Sequence, residues 1–289
     1  MRIRYGALTG LLLIWLVFWG CGGVSVPLPS SLTPAAEIAA KTGVKAVQAS
    51  RPISDSEEYY VGRAVAARIL AKYPLYQNQE VIQYVNEVGQ TVARKSPRPQ
   101  VYRGYHFAVL DTMEPNAFAC PGGTILITRG LLKNCGSEDE LAAVLAHEVA
   151  HIAHKDGINS ISQARWTEVL TTLGTETVRQ YGGSAGQLLT LFEGSIDDVF
   201  KTIVVNGYSR TAEEKADQEA VNILRRAGYN PGALAAVLSK MQGKEGAGGI
   251  YRTHPPTAER LARVQTLAPV SPPSGMELAR AARFKSLPF

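Results

Sequence analysis

Residues 145–151 read Leu145-Ala146-His147-Glu148-Val149-Ala150-His151. This H-E-x-x-H pattern lies inside a stretch that predicts one long helix, from Glu138 to about Lys155, with Leu141, Val144 and Leu145 on its apolar side. Ser137 followed by Glu140 has the form of a capping box at its start, and Gly157 is expected to stop it. Residues four apart on an α-helix lie about 40° apart around the axis and about 6 Å along it, so two imidazoles converge on one point. Neutral imidazole nitrogen suits zinc at about 2.0–2.1 Å. Glu148, next to the first ligand, then sits beside a water whose pKa such an ion lowers to about 7. It takes that proton and passes it to a leaving amine. The bland alternative is a helix with two chance histidines. Three of the five histidines fall between 147 and 154, on a capped helix, which favours the metal.

A catalytic zinc needs a third protein ligand and one open position. His154 lies about 10 Å along the axis from His147, too far for a straight helix, and reads as a helix-end histidine. The better candidate is in Tyr208-Ser209-Arg210-Thr211-Ala212-Glu213-Glu214-Lys215-Ala216-Asp217. Glu213 and Asp217 share a helix face, so Glu213 could ligate while Asp217 accepts a hydrogen bond from a ligand imidazole. A solvated acidic helix start is an equally good reading of that spacing. Glu214 is the rival carboxylate.

Further out, Val61, Val65, Ile69 and Leu70 recur at helical spacing after a cap at Ser54, Asp55 or Ser56, and the helix ends before Tyr73-Pro74. A second helix carries Val81, Val85, Val88 and Val92. His106–Leu110 and Thr124–Thr128 read as strands, with a turn at Pro121-Gly122-Gly123. Helices are expected around 161–180 and 185–206, then Ala212–Arg226, Pro231–Met241 and about Pro255–Leu267. The fold class is α+β, mainly helical, with a small β-sheet beside the active-site helix, over residues 53–268. Residues 269–289 are expected to be a Pro-rich break and a short tail.

The N-terminus reads as an export signal, residues 1–20. Arg2 and Arg4 precede an apolar run from Tyr5 to Trp19, shorter than the roughly 20 residues a spanning helix needs. Gly20-Cys21 follows and resembles a bacterial lipobox, with Phe18 where Leu or Val is usual. The alternative is an uncleaved anchor running on towards Val26. Both place the remainder outside the cytoplasm on a membrane tether. Gly22 in place of Asp leans towards an outer-membrane destination. Residues 21–52, the lipidated Cys21 and a Gly/Ser/Pro/Ala-rich stretch, form a tether reaching on the order of 30 Å.

Composition sets wider bounds. In 289 residues, 45% are hydrophobic and 19% charged, enough to bury a core. Three cysteines exclude a disulfide scaffold. The net charge of +5 includes the two arginines of the signal, and no basic run with interleaved aromatics points to nucleic acid.

Several motifs in order resemble the HtpX and CAAX-prenyl-endopeptidase-like zinc metallopeptidases, which are gluzincins. They are the helix with Glu58 and Gly62, Asn116-Ala117-Phe118-Ala119 with Pro121-Gly122-Gly123, and Gly130-Leu131-Leu132. The run from Glu140 to His151 follows, then Ser209-Arg210 with Glu213 and Asp217, and Thr253-His254-Pro255-Pro256 with Glu259-Arg260-Leu261. The resemblance implies a gluzincin metallopeptidase domain with one zinc per chain, held by His147, His151 and Glu213. It implies that Glu148 is the catalytic base and that Asp217 orients a ligand. No internal stretch is long and apolar enough for the spanning helices of the integral-membrane members. The chain thus resembles the periplasmic, lipoprotein-type branch, without the C-terminal repeat domain that some of its members add.

His254 has two roles open to it, besides simple packing: a latch on the open zinc position in a resting state, or stabilisation of the oxyanion. Asn116 to Thr128 is expected to form strands beside the active-site helix, whose edge would take an extended peptide by strand addition. Cys120 and Cys135 could close a disulfide loop of about 15 residues, worth roughly 3 kcal/mol. The expected function is a membrane-tethered zinc endopeptidase of the cell envelope, acting on misfolded or unassembled envelope proteins. Its partners would be unfolded or extended polypeptide, the membrane through Cys21, and possible envelope assembly machinery. The alternative is a chaperone or assembly factor for outer-membrane proteins with latent peptidase activity.

Overall fold

The computed structural model describes residues 52–161, 195–244, 248–269 and 272–289. The signal and all but the end of the tether, the helix expected at 161–180 and the first part of that at 185–206 lie outside the described residues.

Helix α1 (Asp55–Lys72) starts at a full capping box between Ser54 and Glu57 and buries Val61, Val65 and Ile69. Helix α2 (Gln79–Ala93) is capped by Asn78 and buries Val81, Val85, Val88 and Val92. Strands β1 (His106–Leu110), β2 (Ala117–Cys120) and β3 (Thr124–Thr128) follow. They form one sheet in the order β1-β3-β2, with β1 parallel and β2 antiparallel to β3.

Strand alternation divides the interior in two, because successive side chains point to opposite faces. Phe107, Val109, Ala117, Ala119, Ile125 and Ile127 enter the larger core. Leu110, Phe118, Cys120 and Leu126 enter a second, with Val61, Val65 and Ile69 of α1. Both faces are covered, so the strands are apolar except at their ends, His106, Thr124 and Thr128. The approach of α1 to the β2–β3 turn is close enough to require glycine: a Cβ on Gly62 would sit 1.7 Å from the Pro121 carbonyl oxygen.

Short α3 (Arg129–Asn134) leads into α4 (Glu138–Ala153), the helix of the H-E-x-x-H pattern. All but one of its first fifteen residues are buried, so its apolar stripe widens to almost the full circumference. Its start is half of the expected capping box. Ser137 accepts from the Glu140 N–H, but the Glu140 carboxylate turns to the Gly136 N–H (2.7 Å) and Lys240 (2.5 Å). Its end also differs from expectation. The helix stops at Lys155 in left-handed backbone (φ 58°), while Gly157 lies inside the next short helix, α5 (Asp156–Asn159). Lys155 Nζ is 3.0 Å from Asp55 and 3.4 Å from Glu58, contacts that offset the cost of that conformation.

Residues 195–200 are helical and pass into a π-helical turn, Lys201–Asn206. Helix α6 (Arg210–Ala227) runs between a Ser209 cap and a left-handed Gly228, and packs along α4. Then come α7 (Ala233–Met241), α8 (Ile250–Thr253) and α9 (Ala258–Leu267). Among the described residues no helix is long and apolar enough to cross a membrane.

The expected tail is instead a helix, α10 (Gly275–Lys285), capped by Ser274 and Glu277. It docks on the start of α4. Arg280 forks onto Asp139 (2.9 and 2.7 Å), Arg283 meets Glu138, and Phe284 is 1% exposed. Two buried apolar residues, Phe284 and Leu287, are too few to reveal an amphipathic pattern in the sequence. Cys120 and Cys135 are both free and buried in different cores, so no disulfide joins them.

Phe284→Ala should lower stability to chemical denaturation by about 3 kcal/mol, as expected for a buried phenylalanine. A loose tail would give no measurable change.

Candidate metal centre

Helix α4 presents His147 and His151 one turn apart, both buried. Helix α6 brings up Glu213 in its first turn and Asp217 one turn later, on the face turned to α4. The small residues Ala216 and Ala220, both fully buried, let the two helices approach. A third segment delivers His254 from the end of α8. The Ile250 N–H donates to the Pro115 carbonyl (2.9 Å), and Thr253 Oγ1 donates to Asn116 (3.4 Å). Gly207, at φ 81°, allows the preceding turn to pass under Thr253, where a Cβ would lie 2.4 Å from its carbonyl oxygen.

Donor atoms of His147, His151, Glu213 and His254 lie within 4.8 Å of one another. His147 Nε2 is 3.1 Å from His151 Nε2 and 3.3 Å from His254 Nδ1. Glu213 Oε1 is 2.9 Å from His254 Nδ1 and 3.4 Å from His151 Nε2. Ligands placed tetrahedrally at zinc distances are separated by about 3.3 Å, so this spacing and the three-nitrogen, one-oxygen donor set fit zinc. Glu148 lies at the same place, 1% exposed, with Oε1 3.7 Å from His254 Nε2. Its Oε2 is buried without a hydrogen-bond partner among the described residues.

A second layer of charge holds these side chains. His147 Nδ1 lies 3.1 Å from Asp217, and His151 Nδ1 lies 2.8 Å from Asp156. Both contacts leave Nε2 to face the cluster. Arg260 of α9 forks onto Asp217 (2.7 and 2.8 Å), reaches Glu213 (2.7 Å) and donates to the Pro255 carbonyl (3.0 Å). Burial alone would raise the Glu213 pKa, but the charges of His254 and Arg260 hold it well below the usual carboxylate range. Burial works against a charge on His147, yet Asp217 and Glu213 outweigh it and raise its pKa to about 10. A cation bound here would replace the proton that these carboxylates hold on His147.

The structure brings His147, His151, Glu213 and His254 together and sets Glu148 and Asp217 against them. His154 stays outside and caps α4, its N–H donating to the Ala150 carbonyl (2.9 Å). Glu214 turns away to Arg263 (2.5 Å). Sequence reading assigned no role to Asp156, Arg260 or Tyr208, whose ring stacks on His151. Arg260 belongs to one of the motifs that carried the resemblance, and that was its only signal. Asp156 stands five residues from His151 across a helix break, where helical spacing has no meaning.

An α+β fold with this buried donor cluster defines a metallopeptidase domain. Residues 78–268 match Peptidase family M48, and the chain belongs to that family. It is 24% identical over 227 residues to the Beta-barrel assembly-enhancing protease of Escherichia coli K12, covering 76% of this chain and 45% of that protein. It is 28% identical over 165 residues to the Mitochondrial metalloendopeptidase OMA1 of Schizosaccharomyces pombe, covering 56% and 46%. A Protease HtpX homolog of Paenarthrobacter aurescens is 27% identical over 301 aligned residues, covering 92% and 96%. The chain thus spans under half the length of the Escherichia coli relative.

Asp217→Asn should weaken zinc binding about 10- to 100-fold in chelator competition, with the far-ultraviolet spectrum unchanged. Unaltered affinity would mean that Asp217 does not orient His147.

Proposed function

We propose that this protein is a zinc-dependent endopeptidase, tethered to the bacterial envelope through Cys21 and facing the periplasm, in which His147, His151 and Glu213 hold the ion. The observation that carries the reading is the orphaned carboxylate oxygen of Glu148 beside a convergent donor cluster. A binding module has no use for a buried carboxylate whose Oε2 lacks a hydrogen-bond partner among the described residues. When bound, zinc polarises the scissile carbonyl and lowers the pKa of water to about 7. Glu148 accepts the proton of the attacking water and returns it to the amine as the C–N bond breaks. Asp217 and Asp156 keep the ligand rings in one tautomer, and Arg260 holds Glu213 and Asp217 ionised. Strand β2 is an edge of the sheet and packs on α4, but its four residues are at most 2% exposed and the π-helical turn lies against it, so an extended substrate would pair with it next to Glu148 only after that cover moves aside. Recognition through backbone favours unfolded chains over a sharp sequence. That suits removal of misfolded or unassembled envelope proteins.

His254 Nδ1 lies among the donor atoms of His147, His151 and Glu213 and could join them in holding the ion, which supports the latch over the oxyanion role. It also keeps a second reading in view, an assembly factor for outer-membrane proteins whose peptidase activity is gated. The relative named Beta-barrel assembly-enhancing protease supports that direction.

The test compares wild type, Glu148→Gln and His254→Ala on an unfolded protein substrate, each with measured zinc. We expect one zinc per chain in all three, no cleavage by Glu148→Gln, and at least tenfold faster cleavage by His254→Ala. Zinc-loaded protein that cleaves in none of the three forms would favour the assembly reading. The tether has its own check: labelling with a radioactive fatty acid should mark wild type and not Cys21→Ala.

A further inference from the structure

Tyr208 sits between the π-helical turn and the Ser209 cap of α6, directly after Gly207. Its ring lies nearly parallel to that of His151, with centroids 4.1 Å apart and an interplanar angle of 20°. The same ring is 5.9 Å from that of His254. Phenylalanine would make both contacts. The hydroxyl is what needs explaining, because it is buried with no hydrogen-bond partner among the described residues. Buried polar atoms are rarely left so, and those that are deserve a reason. A second orphan, Glu148 Oε2, belongs to the same site. Burial, and after it the negative charges of Glu148 and Asp156, hold the phenol well above its ordinary pKa. A phenol hydroxyl is a hydrogen-bond donor, and it suits an oxygen that gains negative charge during a reaction.

We propose that Tyr208 is a further catalytic residue, whose O–H donates a hydrogen bond to the substrate's carbonyl oxygen as that oxygen becomes an oxyanion. The proposal rests on the peptidase reading. Water oxygen bonds to the carbonyl carbon, the π pair moves onto the carbonyl oxygen, and Glu148 takes the proton released. Tyr208 keeps its own proton and shares it only as a hydrogen bond. When the C–N bond breaks, the pair on oxygen re-forms the carbonyl, the proton on Glu148 goes to the amine, and the Tyr208 bond is released. This role is separate from that of His254, which stands at ligand distance and is available as a latch.

The test is Tyr208→Phe, built into wild type and into His254→Ala, beside Glu148→Gln. The phenylalanine keeps the stack on His151 and removes only the hydroxyl. We expect kcat to fall about 10²- to 10³-fold in the cleaving form, the loss seen when an oxyanion donor is removed. KM and zinc affinity should stay within twofold. Binding of a phosphinic peptide, which mimics the tetrahedral species, should weaken, while binding of the cleaved product peptide does not. The proposal is overturned if kcat and phosphinate affinity both stay within threefold, since the ring then only packs. It is also overturned if Tyr208→Phe loses zinc, since the hydroxyl then serves the ligands. If Glu148→Gln cleaves as fast as its parent, or the parents neither cleave nor bind the phosphinate, the peptidase reading itself fails and this proposal with it.

Discussion

Buried negative charge is the constraint around which the structure is arranged. Glu148, Glu213 and Asp217 are each at most 2% exposed. A carboxylate taken so far from water takes up a proton unless positive charge or hydrogen bonds hold it ionised. Arg260 answers two of the three and is itself 3% exposed, so helix α9 is part of the site although it supplies no ligand. The same guanidinium ties down the Pro255 carbonyl, one residue from His254. One side chain therefore fixes Glu213, the partner of His147 and the loop that carries His254. Positive charge from a divalent ion completes a balance that the protein side chains leave to protons.

Rigidity around this cluster comes from packing. Helix α4 is enclosed by the sheet, by α2 and α6, and by α7 and α10 at its sides and start. A further buried carboxylate, Glu58, secures its far end. Arg98 forks onto Glu58, the Gly122 N–H donates to it at 3.0 Å, and Lys155 reaches it from the left-handed stop of α4. The Gly62 contact places α1 against the same turn. The hairpin that carries the edge strand β2 is thus clamped at the end where α4 finishes.

Most of the secondary structure was legible because it follows from local rules. The valine spacing of α1 and α2, the alternation in β1 and the Ser137 cap of α4 each act within a few residues. The Glu213 and Asp217 pair was legible as one helix face, but spacing alone could not tell a ligand from a solvated helix start. That choice depends on α4 lying against the same face, and only the resemblance to a metallopeptidase family pointed to it in advance. The misplaced stop of α4 has a similar cause. Gly157 is the better local candidate, yet Asp55 and Glu58, about a hundred residues earlier, hold Lys155 in the strained conformation. The C-terminal helix reads as a tail in the sequence because its anchors find their partners far away, Arg280 and Arg283 on α4 and Phe284 beside Tyr84 of α2.

By itself the sequence determined the elements and the chemistry they carry: two imidazoles and a base on one helix turn, two carboxylates on another, and a histidine before a proline. These depend on helix periodicity and on side-chain type, which are local. Only the tertiary structure decided that His254 joins the donor cluster, that Arg260 holds both carboxylates, that Asp156 and not His154 meets a cluster imidazole, and that the Tyr208 hydroxyl is buried without a hydrogen-bond partner among the described residues. Each of these depends on where separate segments meet, and burial and electrostatic balance across the whole fold settle that.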